Sequence, residues 1–199
     1  GAESPKWIGR CPVCGEWNTY VEEVVSTKSA AGGRGEFGTM EQSKVRPQRI
    51  DDIQITEESR IDLGNGELNR VLGGGLVRGS LVLIGGEPGI GKSTLILQTV
   101  LALKGQKILY VSGEESARQL KLRAERIGGN APDCYIVCET SLEDIFVHIR
   151  NVDPDIVVID SIQTIATSAM EASAGSVGQV RECAACLLKF AKQTNKPVL

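Results

Sequence analysis

The sequence predicts an α/β fold in which a mostly parallel sheet is flanked by helices, and two observations predict it. From about Ile50 onward, short apolar runs typical of buried strands alternate with stretches of helical character. The runs are apolar throughout instead of alternating with polar residues. That pattern is expected of parallel strands that crossover helices cover on both faces.

The individual elements follow from these runs and from the residues that interrupt them. Strands are expected at Leu81–Ile84, Lys107–Val111, Tyr135–Val137 and Ile156–Ile159, and helices at Lys92–Leu103, Ser116–Ile127, Leu142–Asn151 and near Val180–Gln193. Ser116 is a candidate N-cap, Gly105 and Gly128 are stop signals, and Pro154 prevents extension of the third helix. A further strand is expected to begin at Lys196, so we expect the domain to be incomplete at its C-terminus.

Composition and charge are those of an ordinary globular protein. Apolar residues make up 41% of the chain and charged residues 24%. No run approaches the roughly eighteen apolar residues that span a bilayer, and we expect no secretory signal. We therefore expect a cytoplasmic protein without a membrane partner. The net charge of -3 means that any DNA contact must come from local loops or from oligomerisation.

Three regions differ in composition. We interpret residues 1–25 as a partial C4-type zinc-finger segment, residues 26–49 as a flexible linker of small and polar residues, and residues 50–199 as the α/β domain. Cys11 and Cys14 have the two-residue spacing of zinc ligands, but a tetrahedral structural site needs four. Bound Zn²⁺ and two unmetallated thiols therefore both remain open for this chain.

The other four cysteines are expected to be structural. Cys183 and Cys186 share the two-residue spacing but lie in an apolar helical pattern, which favours buried cysteines over metal ligands. Cys134 and Cys138 flank a predicted strand and are expected to help fill the core.

The most specific motif of the sequence is a phosphate-binding loop. The pattern G-x-x-x-x-G-K-[ST] is met in full, directly after a predicted strand and at the start of a helix, by Gly86, Glu87, Pro88, Gly89, Ile90, Gly91, Lys92, Ser93 and Thr94. The glycines let backbone N–H groups turn toward phosphate oxygens, and the helix N-terminus adds positive partial charge. Lys92 is expected to reach the β- and γ-phosphates of ATP or ADP, and Ser93 to bind Mg²⁺.

Acidic residues after two other strands complete the predicted site. Asp160 ends the run Ile156–Ile159, where a carboxylate faces the ligand crevice of a parallel sheet and can hold Mg²⁺. Glu114 and Glu115 follow another strand, and one of them can activate the attacking water, with Glu114 slightly favoured. They can instead complement the dipole of the following helix. Gln163 is placed to sense the γ-phosphate, or else belongs to a plain loop.

Spacing favours a RecA-type arrangement among P-loop classes. Lys92 and Asp160 are far enough apart in sequence for two further βα units, more than the adjacent-strand arrangement of small kinases needs. We therefore expect an inserted strand next to the P-loop strand, with the glutamates at its tip.

Two segments are candidate DNA contacts. The segment Thr167–Gln179 follows the Asp160 strand, and it is either a mobile DNA-contacting loop that ends near Arg181 or a flexible connection. Four basic side chains give one helix a basic character, for which a solvated face is the favoured interpretation: Arg118, Lys121, Arg123 and Arg126.

Three segments carry a family resemblance, namely Asn69–Ser80, Tyr110–Ser116 and Gly178–Glu182. With the P-loop between them, they closely resemble the bacterial RadA (Sms) family of RecA-like ATPases, and the similarity extends over nearly the whole chain. The resemblance implies a RecA-like P-loop ATPase core, a DNA-dependent ATPase that acts as a ring-shaped motor on single-stranded DNA, and branch migration or strand-exchange extension in recombinational repair. It also implies hexamers, the recombinase RecA as a partner, and Cys11 and Cys14 as two of four zinc ligands.

The chain departs from that family in three ways. The first cysteine pair, the K-N-R-F-G motif and the Lon-protease-like domain are missing. If that motif acts as an arginine finger, this chain binds nucleotide but hydrolyses it weakly. Two other functions stay open at this point, a KaiC-type signalling ATPase and a DNA scaffold that uses ATP only to assemble.

Overall fold

A parallel three-stranded sheet lies at the centre of the computed structural model, which describes residues 49–52, 60–128 and 133–199. These residues belong to the second of two units of the chain, Pro47–Leu199. The described elements in chain order are a 3-10 helix Ile50–Asp52, α1 Gly66–Val71, α2 Lys92–Ala102, β1 Ile108–Ser112, α3 Ala117–Ile127, β2 Cys134–Cys138, α4 Leu142–Val152, β3 Ile156–Asp160 and α5 Val177–Thr194. The predicted elements from α2 to α5 are present, whereas α1 was not predicted.

The strand order is β2-β1-β3, and the end of the chain extends this sheet. Val198 forms parallel bridges with Val157 on one side and with Leu81 on the other. The segment that leads into the P-loop is therefore separated from β3 by the residues around Val198.

Two expectations about the strands were wrong. We expected β1 to lie next to the strand that leads into the P-loop, but the residue that pairs with Leu81 is Val198. Strand β1 cannot take that place, because both of its edges already pair, with β2 and with β3. The run Leu81–Ile84 is not a full strand, because Leu81 is the residue of this run that bridges a neighbour, and Leu83 is 80% exposed.

The apolar core lies on both faces of the sheet, as the continuous apolar strands predicted. Alternate strand residues point to opposite faces. On one face Ile108 and Tyr110 join a cluster with Leu97 of α2 and Leu120 of α3. On the other face, another cluster contains strand residues and residues of α4 and α5: Leu109, Val111, Val157, Ile145, Leu187 and Phe190.

Side-chain caps begin four of the described helices: Asn65 caps α1, and serines cap α3, α4 and α5. The side chains of Ser116, Ser141 and Ser176 accept hydrogen bonds from backbone N–H groups of the first turns of α3, α4 and α5. The cap at Ser176 starts α5 at Val177, three residues before the predicted start. Helix α3 ends at Gly128 in the left-handed conformation (φ 78°), as the sequence predicted.

The cysteine predictions are confirmed in part. Cys183 is fully buried, and Cys134 and Cys186 pack against the two core clusters. Cys138 is exposed, so its predicted place in the core was wrong. The reason is that β2 is the last strand on its side of the three-stranded sheet β2-β1-β3, so its outer edge is less covered. None of the helices in the described ranges is long and apolar enough to cross a membrane.

Candidate nucleotide-binding site

The phosphate-binding loop lies between the Leu81 segment and α2, and its residues 85–91 are exposed. Gly89 (φ 78°) and Gly91 (φ 101°) adopt the left-handed conformation that glycine tolerates best. The amine Nζ of Lys92 donates hydrogen bonds to the carbonyl oxygens of Gly86 and Glu87, each at 2.8 Å. The loop is therefore wrapped around the lysine side chain.

The N-terminus of α2 differs from those of α3, α4 and α5. No side chain caps it, and its N-cap is Gly91. The first N–H groups of a helix have no partner within the helix. In this position they form, with the glycine-rich loop, a surface suited to an anion such as a phosphate group.

Asp160 joins the loop to the sheet. It ends β3, and its Oδ1 accepts a hydrogen bond from Ser93 Oγ at 3.0 Å. The two half-sites predicted from separate motifs thus meet through a direct side-chain contact. Both oxygens, a hydroxyl and a carboxylate, are the hard ligands that Mg²⁺ prefers.

Tyr110 is a site residue that sequence reasoning missed. Its hydroxyl donates to the other carboxylate oxygen of Asp160, Oδ2, at 2.6 Å. Burial raises the pKa of the Tyr110 hydroxyl far above its usual value, and the hydrogen bond and the negative charge of Asp160 raise it further. The phenol therefore stays a protonated donor. Within the sequence Tyr110 is one member of an apolar strand, and only the strand register places it near Asp160.

The structure separates the two glutamates that follow β1. Glu115 forms an ion pair with Arg123 of α3 (Oε1 to Nη2, 2.6 Å), and the two side chains are only 23% and 27% exposed. Glu114 is exposed, and its Oε1 accepts a hydrogen bond from Ser161 Oγ at 2.8 Å, next to Asp160 in sequence. Glu114 thus lies toward the end of β3, whereas the charge of Glu115 is balanced by α3.

The ion pair corrects the expectation for the basic helix. Arg123 is not part of a solvated face but is half-buried against Glu115. The reason is helical geometry, since Arg123 lies between Leu120 and Ala124, the two buried positions of α3.

Gly113 links the tips of β1 and β3. Its N–H donates to the carbonyl oxygen of Asp160 at 2.9 Å. A Cβ atom at this position would lie 1.8 Å from Thr164 Oγ1, so only glycine fits the contact. Gln163 lies beside Thr164 in the loop after β3 and is exposed.

The predicted DNA-contacting segment is held by two side chains. Gln179, 1% exposed, accepts from the N–H of Thr167 and donates to the carbonyl oxygens of Met170 and Ala172. Glu143 of α4 accepts from the hydroxyl of Thr167 and from Ser168. The loop ends at Ser176 and not at Gln179, because Ser176 caps α5.

The donor set fits a metal that is bound together with a nucleotide. In the ranges described, no three His, Cys, Asp or Glu side chains are grouped so that they could hold a metal ion alone. Mg²⁺ commonly takes one or two protein oxygens and completes its shell with phosphates and water. Ser93 and Asp160 match that pattern. The predicted zinc ligands Cys11 and Cys14 lie outside the described residues.

A parallel sheet with a glycine-rich loop, an uncapped helix and an acid at the end of β3 defines a P-loop nucleotide-binding domain. Residues 44–199 match the model of the family described as AAA domain, and the chain belongs to that family. Residues 1–22 match the model described as rubredoxin metal binding domain. The predicted fold class, a P-loop ATPase core preceded by a zinc-ribbon segment, is confirmed.

Curated relatives agree with the family resemblance expected from the sequence. The chain is 51% identical to the DNA repair protein RadA of Bacillus subtilis, over 100% of this chain and 43% of that protein. It is 50% identical to the protein of the same name from Listeria monocytogenes, over 98% of this chain and 42% of that protein. The chain thus spans less than half the length of these relatives. The predicted resemblance to RadA is confirmed.

Proposed function

We propose that this chain binds ATP with Mg²⁺ at residues 86–94 and hydrolyses it, as the ATPase domain of a DNA repair protein. The observation that carries the proposal is the 3.0 Å contact between Ser93 and Asp160, which joins the phosphate loop to the acid of β3. The names of the relatives and the family match support the same class.

The roles of the residues follow from their places. Lys92, now held by the carbonyl oxygens of Gly86 and Glu87, would turn to the β- and γ-phosphates, while Gly91 leaves the N–H groups of α2 open to them. Ser93 and Asp160 would hold the Mg²⁺, which neutralises phosphate charge when bound.

Glu114 is the better candidate for the residue that activates water. A general base needs a carboxylate that is not already committed to a cation. Glu115 is committed to Arg123, whereas the Glu114 carboxylate contacts a neutral hydroxyl, that of Ser161. This contrast supports Glu114 as the residue that activates water, whereas Glu115 would orient α3 through Arg123.

The DNA part of the proposal rests on the relatives and on the loop after β3. We place single-stranded DNA at the segment that begins at Thr167 and, because Ser176 caps α5, ends at Ser176. The hydrogen bond between Ser161 and Glu114 offers a link to hydrolysis from the start of the same connection between β3 and α5. Gln163 would sense the γ-phosphate in the same loop.

For the whole protein we propose a hexameric motor that promotes branch migration or strand-exchange extension with the recombinase RecA. Cys11 and Cys14 would supply two zinc ligands.

Two matched substitutions test the catalytic assignment. Glu114→Gln should keep ATP binding and lower turnover by about 10² to 10⁴, the usual range for general-base catalysis. Glu115→Gln, the neighbouring control, should keep turnover much closer to the unmodified chain. Equal losses in the two variants, or none in Glu114→Gln, would contradict the assignment.

Nucleotide binding and DNA stimulation test the wider proposal. Lys92→Ala should abolish binding of a fluorescent ATP analogue. If the variant still binds the analogue as the unmodified chain does, the proposal is wrong. Single-stranded DNA should accelerate hydrolysis by this chain or by a version extended to the length of its relatives. Hydrolysis that ignores DNA in both forms would favour a KaiC-type signalling ATPase. DNA function that survives Glu114→Gln would favour a scaffold.

A further inference from the structure

The hydroxyl of Tyr110 is the polar end of an otherwise core residue. Tyr110 is 0% exposed and belongs to the apolar cluster between the sheet, α2 and α3. Phenylalanine would fill almost the same volume without bringing a hydroxyl that needs a partner when buried. The partner here is the carboxylate of Asp160, at 2.6 Å.

Strand register explains how the two side chains meet. Ser112 of β1 lies opposite Asp160 of β3, and Tyr110 lies opposite Val158, one side-chain repeat earlier on the same face. The long Tyr110 side chain therefore reaches the carboxyl edge of the sheet from within the core. Its ring is held by packing, so its hydroxyl is a fixed donor.

The two oxygens of Asp160 have different partners. Oδ2 accepts from Tyr110, and Oδ1 accepts from Ser93 of the phosphate loop. A carboxylate at a strand end can otherwise turn about its side-chain bonds. A short hydrogen bond from a rigid donor to Oδ2 selects the orientation in which Oδ1 faces Ser93.

We propose that Tyr110 is a positioning residue of the Mg²⁺–nucleotide site, acting through Asp160. This inference rests on the proposed function, since it concerns the same site. Groups that orient a metal ligand change metal affinity by about 10- to 100-fold when they are removed. Tyr110 does not contact the nucleotide in this proposal, so its loss affects the dependence on Mg²⁺ and leaves the affinity for free ATP intact.

The test is Tyr110→Phe, with Tyr135→Phe as the matched control because Tyr135 lies on β2 and is 47% exposed. A fluorescent ATP analogue is titrated in EDTA and then at increasing Mg²⁺. For Tyr110→Phe we expect unchanged affinity in EDTA and a Mg²⁺ half-saturation raised about tenfold. Turnover should follow the same shift, with kcat recovered at high Mg²⁺. Tyr135→Phe should match the unmodified chain.

A second variant keeps the test decisive. Insertion of 4-aminophenylalanine at position 110 keeps the ring and restores a donor, so the Mg²⁺ dependence should return toward that of the unmodified chain. Two results would overturn the inference: a Mg²⁺ half-saturation unchanged in Tyr110→Phe, or an equal loss of affinity in EDTA and in Mg²⁺, which indicates a structural role. If the unmodified chain itself binds no nucleotide, the proposed function fails first, so the two failures are distinguishable.

Discussion

Gly113 offers a quantitative test of how the tips of β1 and β3 fit together. In Gly113→Ala the new Cβ would lie 1.8 Å from Thr164 Oγ1 and 2.6 Å from Thr164 Cβ, where ordinary contacts begin near 3.4 Å. Rotation of the Thr164 side chain can remove the Oγ1 contact but not the Cβ contact, so the two tips must move apart until that contact lengthens from 2.6 Å to about 3.4 Å. Overpacking of this kind costs about 1–3 kcal/mol of unfolding free energy. A displacement of about 1 Å at Glu114, the next residue, should lower turnover by roughly 10²-fold.

Urea unfolding and ATP turnover measure these two effects. Gly66→Ala is the matched control, because a Cβ at Gly66 meets nothing within 4 Å. Adding Thr164→Gly to Gly113→Ala removes the clashing atoms and should recover much of the lost stability. Unchanged unfolding and turnover in Gly113→Ala would refute the packing argument, and so would a loss as large in Gly66→Ala.

Three further predictions concern stability and the loop after β3. Ser116→Ala removes the cap of α3 and should lower the unfolding free energy by about 1 kcal/mol in urea titrations; a loss below a few tenths would contradict the cap. Gln179→Leu removes the hydrogen-bond partner of the Thr167 N–H and of the Met170 carbonyl oxygen, so backbone hydrogen exchange should speed up in residues 167–172. Unchanged exchange rates in those residues would show that Gln179 does not hold the loop. Burial raises the pKa of the Glu143 carboxyl, but hydrogen bonds from Thr167 and from Ser168 outweigh that effect and lower the pKa below its ordinary value of 4.5. Its contribution is therefore present above pH 4.5 and lost as the pH falls further, so loop protection should drop in that range, and Glu143→Gln should remove this dependence.

Much of the site could be predicted because its residues are marked by local chemistry. A lysine and a serine at the end of a glycine-rich loop, and an aspartate after four apolar residues, can be recognised in the sequence as candidates for phosphate and Mg²⁺ binding once a parallel sheet is expected. The same holds for the strands β1 to β3, whose apolar runs are visible without knowledge of the fold.

The missed features depend on contacts between distant segments. In the sequence Tyr110 cannot be distinguished from other core residues, and only the strand register places its hydroxyl at Asp160. Arg123 is likewise predicted to be solvated, because its ion pair with Glu115 forms only when α3 packs on the sheet. The order of the strands could not be predicted either. Val198 pairs with Val157 on one side and with Leu81 on the other, and no local sequence pattern indicates which strands become neighbours.

The sequence by itself determined which chemical groups this protein has and which backbone elements carry them, since periodicity, caps and the phosphate loop act over a few residues. Only the tertiary structure decided that Glu115, and not Glu114, pairs with Arg123, and what holds Asp160 in place. Those outcomes depend on hydrogen bonds and ion pairs between residues far apart in the chain. Such contacts exist only once the two apolar faces of the sheet have been buried.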